Sequence, residues 1–413
     1  MKQIPYFLLL FAVTIAGLWI IPELVKTATY SRDRYPFVYF SSTEKKLIFK
    51  EFVDKGTELH DDEGVLLTDS AYDHMLPLLN YRQLTLNGEM PDSIDGIAID
   101  PRELRVKQIV YRYDPKDKNK PQVGLYIMYE SLPIKGKLES PGDVFRLTDK
   151  IEFIDDATNQ INRSKSEMFQ KALEKAGYTF PAQWTSGNLS IRKPYDEGYF
   201  SLDAQGQLFH IKMVNGRPFV RNTQLDPSIE PTYFSMLEVS DKRFYGFLFD
   251  KNGKMYILEE AAGKYRPLPL DIPAVDLNRD ALSIIGNLLY WTVSVENDNG
   301  KWFYGLKTAD LQRVRESFVL APVNRWDKVA NKLFPFYLTF KKNTTHYVAP
   351  YLHFTTGTAF VLNALLALIV YVIPRRSLSK RIFDSLYVLL FGVAGVVAFC
   401  LIPRYQSKNN QHK

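Results

Sequence analysis

The chain has 413 residues, 46% of them hydrophobic, a formal charge of +6 and a single cysteine, Cys400. That length supplies ample core without covalent staples, and one cysteine excludes an intrachain disulfide framework and any cysteine-built zinc site. Nine of the 52 basic and two of the 46 acidic residues fall in 1–29 and 351–413, leaving 43 against 44 between them. That balance excludes the concentrated basic face that nucleic acid requires.

The first element is an apolar run, Tyr6 to Pro22, uncharged for 17 residues. As a helix it covers about 25 Å, a short membrane span. A cleaved signal peptide is the alternative, but "ELVKTATYS" offers no small-x-small site, so an uncleaved anchor over 1–29 is expected.

An extracytoplasmic domain follows, with an α+β part over 30–190. "DPRE" at Asp100 to Glu103 predicts a short helix with a capping Asp and a first-turn Pro. "RVKQIVYRYD" (105–114) and "QVGLYIMYE" (122–130) alternate and are rich in branched and aromatic residues, which predicts a hairpin across "PKDKNKP". "SKSEMFQKALEKAG" predicts a helix over 164–176, with a capping box at Ser164 and Glu167 and a stop at Gly177.

The stretch 191–350 carries a repeat. "DAQGQLF" at Asp203, "DKNGKMY" at Asp250 and "NDNGKWF" at Asn297 recur at a spacing of 47, with glycines at Gly206, Gly253 and Gly300. Asp or Asn caps a tight turn and Gly takes positive φ before a strand enters. Equal spacing at the length of a four-stranded blade predicts a mainly β chain with few helices. The β domain is propeller-like or otherwise repetitive and antiparallel, with a helical insertion; a sandwich or other meander would use the same turns. "DDEGVLL" from Asp61 is a fainter echo. An EF-hand loop needs an acid five residues before its glycine, where Ser201, Leu248 and Val295 stand.

Residues 351–413 predict a transmembrane hairpin, with runs Phe354 to Pro374 and Ile382 to Pro403 bringing the expected spans to three. Arg375, Arg376, Lys380 and Arg381 lie between these runs and determine topology: with Lys2 they place this loop in the cytoplasm and residues 30–350 outside. Arg404, Lys408 and Lys413 oppose that orientation, as do Lys26, Arg32 and Arg34, although long domains cross largely regardless of charge.

No phosphate-cradling loop, His-Glu-x-x-His pair or Gly-x-Ser-x-Gly elbow occurs. No catalytic residue, metal ligand or cofactor is therefore assigned. "HDDE" at His60 to Glu63 is the densest polar cluster, and a solvated turn accounts for it. His210 falls in a strand position matched by Ile257, which predicts a packed histidine. "YDEGYF" at Tyr195 to Phe200 joins two acids to three aromatics, making Asp196 and Glu197 candidate ligand-binding residues.

"LPLLNYRQL" (76–84), "MPDSIDG" (90–96), "KSEMFQKALEKAGYTFPA" (165–182) and "YDEGYFSLDAQGQLFHIKMVNGRPFV" (195–220) resemble a family of uncharacterised Gram-negative bacterial proteins known only as a domain of unknown function. The resemblance covers nearly the whole chain, and members often sit beside ABC-transporter genes. It implies a bacterial inner membrane and a transporter permease as partner, and supplies no catalytic residues. The expected function is a non-enzymatic accessory protein with a β-rich periplasmic domain, in contact with membrane lipid and not nucleic acid. The alternative is a membrane-anchored periplasmic enzyme acting on glycans or peptides through acids such as Asp196 and Glu197.

Overall fold

The computed structural model describes residues 3–30, 34–53, 56–120, 123–322, 324–341, 345–372 and 377–402. The chain divides into two compact units, Met1–Tyr35 with Ala321–Lys413, and Pro36–Leu320. The first element, α1 (Gln3–Thr29), continues through Pro22. A proline inside a helix deletes one donor and can be carried when the following residues still propagate the turn.

In the Pro36–Leu320 unit, β1 (Phe37–Phe40), β2 (Leu47–Val53) and β3 (Gly56–Asp61) form an antiparallel sheet in that order. Next come α2 (Asp69–Met75), α3 (Tyr81–Asn87) and a small ladder of β4 (Ser93–Ile94) with β5 (Ile97–Ala98). The predicted start at "DPRE" is present: α4 (Pro101–Lys107) is capped by the Asp100 side chain, which accepts from the Arg102 N–H at 2.8 Å.

The predicted hairpin is not. β6 (Ile109–Tyr113) is followed by the short helix α5 (Pro115–Lys118), and β6 pairs with a strand far along the chain, Ile109 opposite Gly286. Residues 123–130 make only isolated bridges, Tyr126 to Phe145 and Glu130 to Met213. The inward residues Ile109, Tyr111 and Tyr113 find a larger apolar partner in the distant sheet than a two-stranded hairpin provides. β7 (Asp143–Leu147) and β8 (Ile151–Asp155) then form a hairpin. The predicted helix is α6 (Arg163–Lys175), and its cap is Asn162, whose side chain accepts from the Lys165 N–H; Ser164 and Glu167 lie inside the helix. Asn162 meets the entering chain first and takes the capping site.

Three four-stranded antiparallel sheets follow, each built in chain order. They are β9 (Trp184–Gly187) to β12 (Arg217–Asn222) through β10 (Tyr199–Leu202) and β11 (Leu208–Val214); β13 (Pro231–Met236) to β16 (Lys264–Pro269) through β14 (Gly246–Asp250) and β15 (Met255–Ala261); and β17 (Ala281–Gly286) to β20 (Arg313–Leu320) through β18 (Tyr290–Asn297) and β19 (Gly300–Lys307). β6 adds a fifth strand beside β17.

Alternation sends large side chains to both faces of each sheet, so the sheets stack through successive cores. Tyr199, Phe209 and Ile211 pack on β7, β8 and α6, while Phe200, Leu202 and Leu208 meet Leu248, Tyr256 and Leu258. On the opposite face of that second sheet, Phe247, Phe249 and Ile257 meet Ile284, Trp291 and Leu306. Finally Tyr290 and Phe303 pack on Val38, Phe40 and Phe49 of the β1–β3 sheet.

The recurrent turns are chemically alike at three places. Asp61, Asp203 and Asp250 each accept two backbone N–H groups on Oδ1, from residues two and four positions on, at 2.8–3.0 Å. The glycine three residues after each Asp has φ of +83, +75 and +77 respectively. The faint echo at Asp61 is thus a full member, whereas Asn297 closes a plain hairpin opposite Gly300 and caps only Asn299. Among the described residues the sheets form no closed propeller ring.

The other unit continues with α7 (Arg325–Leu333), the ladder of β21 (Phe336–Thr339) with β22 (Tyr351–Phe354), α8 (Ala359–Val372) and α9 (Leu378–Leu401). Two helices among the described residues, not the expected three, are long and apolar enough to cross a membrane: Ile4–Thr29 and Leu378–Leu401. The remaining run begins as strand β22, turns at Gly357 with φ of +80, and yields in α8 a 14-residue helix. Asn363 of α8 is fully buried and donates to the Leu389 carbonyl at 3.0 Å, beside a break in α9 at Gly392.

Candidate functional site

The five-stranded sheet of β6 and β17–β20 has one face packed in the core and the other only partly covered. The β1–β3 sheet lies over β18 and β19, where the Phe40 N–H donates to Thr292 Oγ1 at 2.8 Å. Beside it, along β17 and β6, two adjoining cavities of about 470 and 410 Å³ share Tyr39, Ile285 and Thr292 and make one trough. Val110, Arg112, Ser283 and Ser294 contribute to its floor, β1 forms a wall, and α3 closes one end with Tyr81, Arg82 and Leu86. Asp114 and Asp117, which cap α5, stand at the other end.

The chemistry of the trough is that of recognition by extended surface: apolar patches, hydroxyls, two guanidinium groups and, toward the α5 end, the carboxylates of Asp114 and Asp117 and the Glu296–Lys301 pair. Among the described residues neither Arg82 nor Arg112 has a carboxylate within ion-pair distance; Arg82 Nε donates to Tyr81 OH at 3.2 Å. Burial pushes the Tyr39 phenol upward and the Arg112 guanidinium opposes the shift. Asn80, which lines the α3 end, has an Nδ2 that is buried without a hydrogen-bond partner.

Asp196 and Glu197, the sequence-predicted pair, enter β10 from a loop that is pinned from several sides. Asp196 is 2% exposed; its Oδ1 pairs with Lys193, and Oδ2 accepts from Ser131 Oγ and the Gly198 N–H, both at 3.1 Å. Lys193 Nζ also donates to the Asn188 carbonyl at 2.8 Å and to Glu238 Oε1 at 3.1 Å. Glu238 accepts in turn from the Glu197 N–H at 2.7 Å and from Asn188 Nδ2 at 2.9 Å. Burial pushes the Glu238 carboxyl upward, against the pull of Lys193. The Glu197 side chain is partly exposed and pairs with Lys212 at 2.6 Å.

His210 is buried with its Nε2 2.6 Å from the Glu197 carbonyl and its Nδ1 2.7 Å from Tyr265 OH. Nε2 can only donate to a carbonyl, and in the neutral ring Nδ1 then accepts from the Tyr265 hydroxyl. Burial favours that neutral form, with the pKa lowered to about 3. Lys193 stands three residues before Asp196 and was visible in the sequence; Glu238, from the loop after β13, carried no local signal.

In the "HDDE" cluster Asp62 accepts from Arg315 at 2.6 and 3.1 Å, Asp61 and Glu63 both pair with Lys46, and His60 stacks on Phe49. A further cleft of about 740 Å³ is lined by the amides Gln183, Gln205, Gln207, Asn222 and Gln224 near the Asp203 turn. Of the topology-determining residues, Arg375 and Arg376 lie outside the described residues, while Lys380 and Arg381 sit in the first turn of α9, each N–H donating to the Ser377 carbonyl at 3.1 Å.

No curated protein matches the chain. Among solved structures, dihydro-heme d1 dehydrogenase NirN in complex with DHE is 11% identical, with a TM-score of 0.23 over 62% of this chain and 66% of that one. PorZ, an essential bacterial surface component of the type-IX secretion system of Porphyromonas gingivalis, is 11% identical, with a TM-score of 0.21 over 70% of this chain and 32% of that one. Both likenesses are too low to bear on fold or function. Residues 36–306 match the domain of unknown function DUF4857, and the chain belongs to that family.

Proposed function

We propose that this chain is a non-enzymatic accessory protein of the bacterial inner membrane that displays a propeller-like stack of sheets to the periplasm and docks a membrane-protein partner such as an ABC-type permease. The observation that carries the reading is the way apolar residues are distributed on α1 and α9. Leu8, Leu24 and Leu401 are each about two-thirds exposed, whereas Thr14, Asp384 and Gly392 are buried. Helices of this length that turn leucine outward and hydroxyl or carboxyl groups inward suit a lipid surround. Lys380 and Arg381, with Arg375 and Arg376, supply the cytoplasmic charge. In the same reading Asp196 serves as a post of the β10 entry loop.

Co-purification from detergent with tagged permease subunits tests the partnership; recovery of this chain alone, under conditions that preserve other membrane complexes, would sink it. A reporter inserted at 377–379 tests orientation, and a periplasmic signal there would reverse the topology.

A further inference from the structure

The trough beside β1 has the makings of a strand-binding site. Among the described residues β1 is the terminal strand of its sheet and pairs only with β2. Its outward edge can be read from two hydrogen bonds. Ser41 N–H donates to the Lys46 carbonyl at 2.8 Å, so odd-numbered positions face β2. Phe40 N–H donates away from β2, to Thr292 Oγ1. Alternation therefore turns the N–H and C=O of Val38 outward too. Val38 lines the cavity at that place. A backbone donor and acceptor next to an uncovered sheet face form a template for one more strand.

The floor suits the side chains of such a strand. An added strand beside β1 lies over β17 and β6, where every second residue points down onto Val110, Arg112, Ser283 and Ile285. Apolar side chains match Val110 and Ile285. Acidic ones match Arg82 at the α3 end and Arg112 on the floor, which have no carboxylate within ion-pair distance among the described residues; the acids lining the far end are engaged, Asp114 and Asp117 as backbone caps and Glu296 with Lys301. A glycan would use neither the alternation nor the strand-edge backbone groups.

We propose that this trough binds an extended polypeptide segment of a partner protein, one that alternates apolar with acidic residues and adds as a strand to the free edge of β1. The proposal rests on the reading of this protein as a docking module and names the mode of docking. It requires no covalent step.

The test uses the full chain in lipid nanodiscs and a phage-displayed library of random dodecapeptides, with one enriched peptide then made synthetically. Enriched sequences are expected to alternate and to carry Asp or Glu, and the bound peptide to slow hydrogen exchange at the Val38 amide at least tenfold. Val38→Pro, which deletes the outward donor, and Arg112→Glu, which reverses an exposed charge, should each weaken binding at least tenfold, while Val38→Ala keeps the donor and the affinity. Because exchange is read on the unaltered chain and Arg112 is exposed, a misfolded Val38→Pro leaves the test decisive. No enrichment over an empty nanodisc overturns the proposal. So does enrichment of peptides indifferent to both variants, binding of chitotetraose that Arg112→Glu abolishes, or self-association of the chain that Arg112→Glu abolishes. Co-purification with a permease that survives Arg112→Glu unchanged overturns strand addition but not the accessory role. Peptide binding without co-purification does the reverse.

Discussion

In the sheet stack Phe200, Phe234, Phe247 and Phe249 are fully buried and most charged groups stand at turns and edges, whereas in the helical unit Leu8, Val361 and Ile369 stand exposed while Thr14, Asn363 and Asp384 fill the interior. The same residue types are sorted in opposite senses. In the stack, apolar area leaves water by packing sheet on sheet. In the helices, polar groups turn inward and meet one another and the backbone: Thr14 Oγ1 with Tyr387 OH at 2.7 Å, Ser385 Oγ to the Ala367 carbonyl at 3.0 Å. The two units thus hide opposite kinds of side chain.

That contrast can be broken by substitution. Phe247→Ala opens a cavity between two sheets and should cost about 3–5 kcal/mol in denaturant unfolding of the full chain in detergent. Lys193→Met leaves Asp196 and Glu238 buried with no cation, for a loss of about 3–5 kcal/mol that Glu238→Gln in the same chain partly restores. A loss below 1 kcal/mol for either single variant would mean that the stack is not held as described.

His210 adds a pH dependence. Its folded-state pKa is lowered to about 3 by burial, while the unfolded chain takes up the proton near the ordinary histidine value. The unfolded state thus binds more protons between those two values. Stability from this residue is complete above the ordinary value and falls as pH drops toward 3, by up to about 1.4 kcal/mol per pH unit. Unfolding midpoints measured across that range should decline less steeply in His210→Gln than in the parent chain.

The helical unit sharpens the comparison with smaller effects. Gly392 has φ of +55 within α9, and a Cβ there would collide with Asn363 Oδ1. Gly392→Ala, stabilising in an ordinary helix, should here cost about 1–2 kcal/mol, and less in an Asn363→Ala background, by thermal unfolding in detergent. Leu8→Ala removes as many carbons as many core truncations, yet in the same assay should shift stability by no more than about 0.5 kcal/mol, because Leu8 faces outward.

Much of the stack was legible because its signals are local. An Asp followed three residues later by Gly specifies a turn by itself, and three such turns have the same hydrogen bonds. Asn297 kept the sequence pattern but not the geometry, because a two-residue hairpin satisfies the backbone there without the second cap. What could not be read depends on partners remote in sequence. The alternation of β6 announced a strand but not that its mate was β17. The trough draws Tyr39, Arg112 and Ile285 from three separate segments, and Glu238 reaches Lys193 from the loop after β13. The second predicted span failed for a local reason, the turn at Gly357, which a hydropathy window averages away.

The pairing of Ile109 with Gly286 has a consequence for how the chain reaches this state. β6 is synthesised before the first two four-stranded sheets, and its partner only after them, so its alternating apolar face must wait unpaired while both complete. Closing so long a loop is slow compared with the hairpins it encloses. During that interval Ile109, Tyr111 and Tyr113 form an adhesive strand with no cover, the kind of segment that attracts chaperones or like strands on neighbouring nascent chains. Docking of β6 is the step at which an early part of the sequence certifies that the later part has folded.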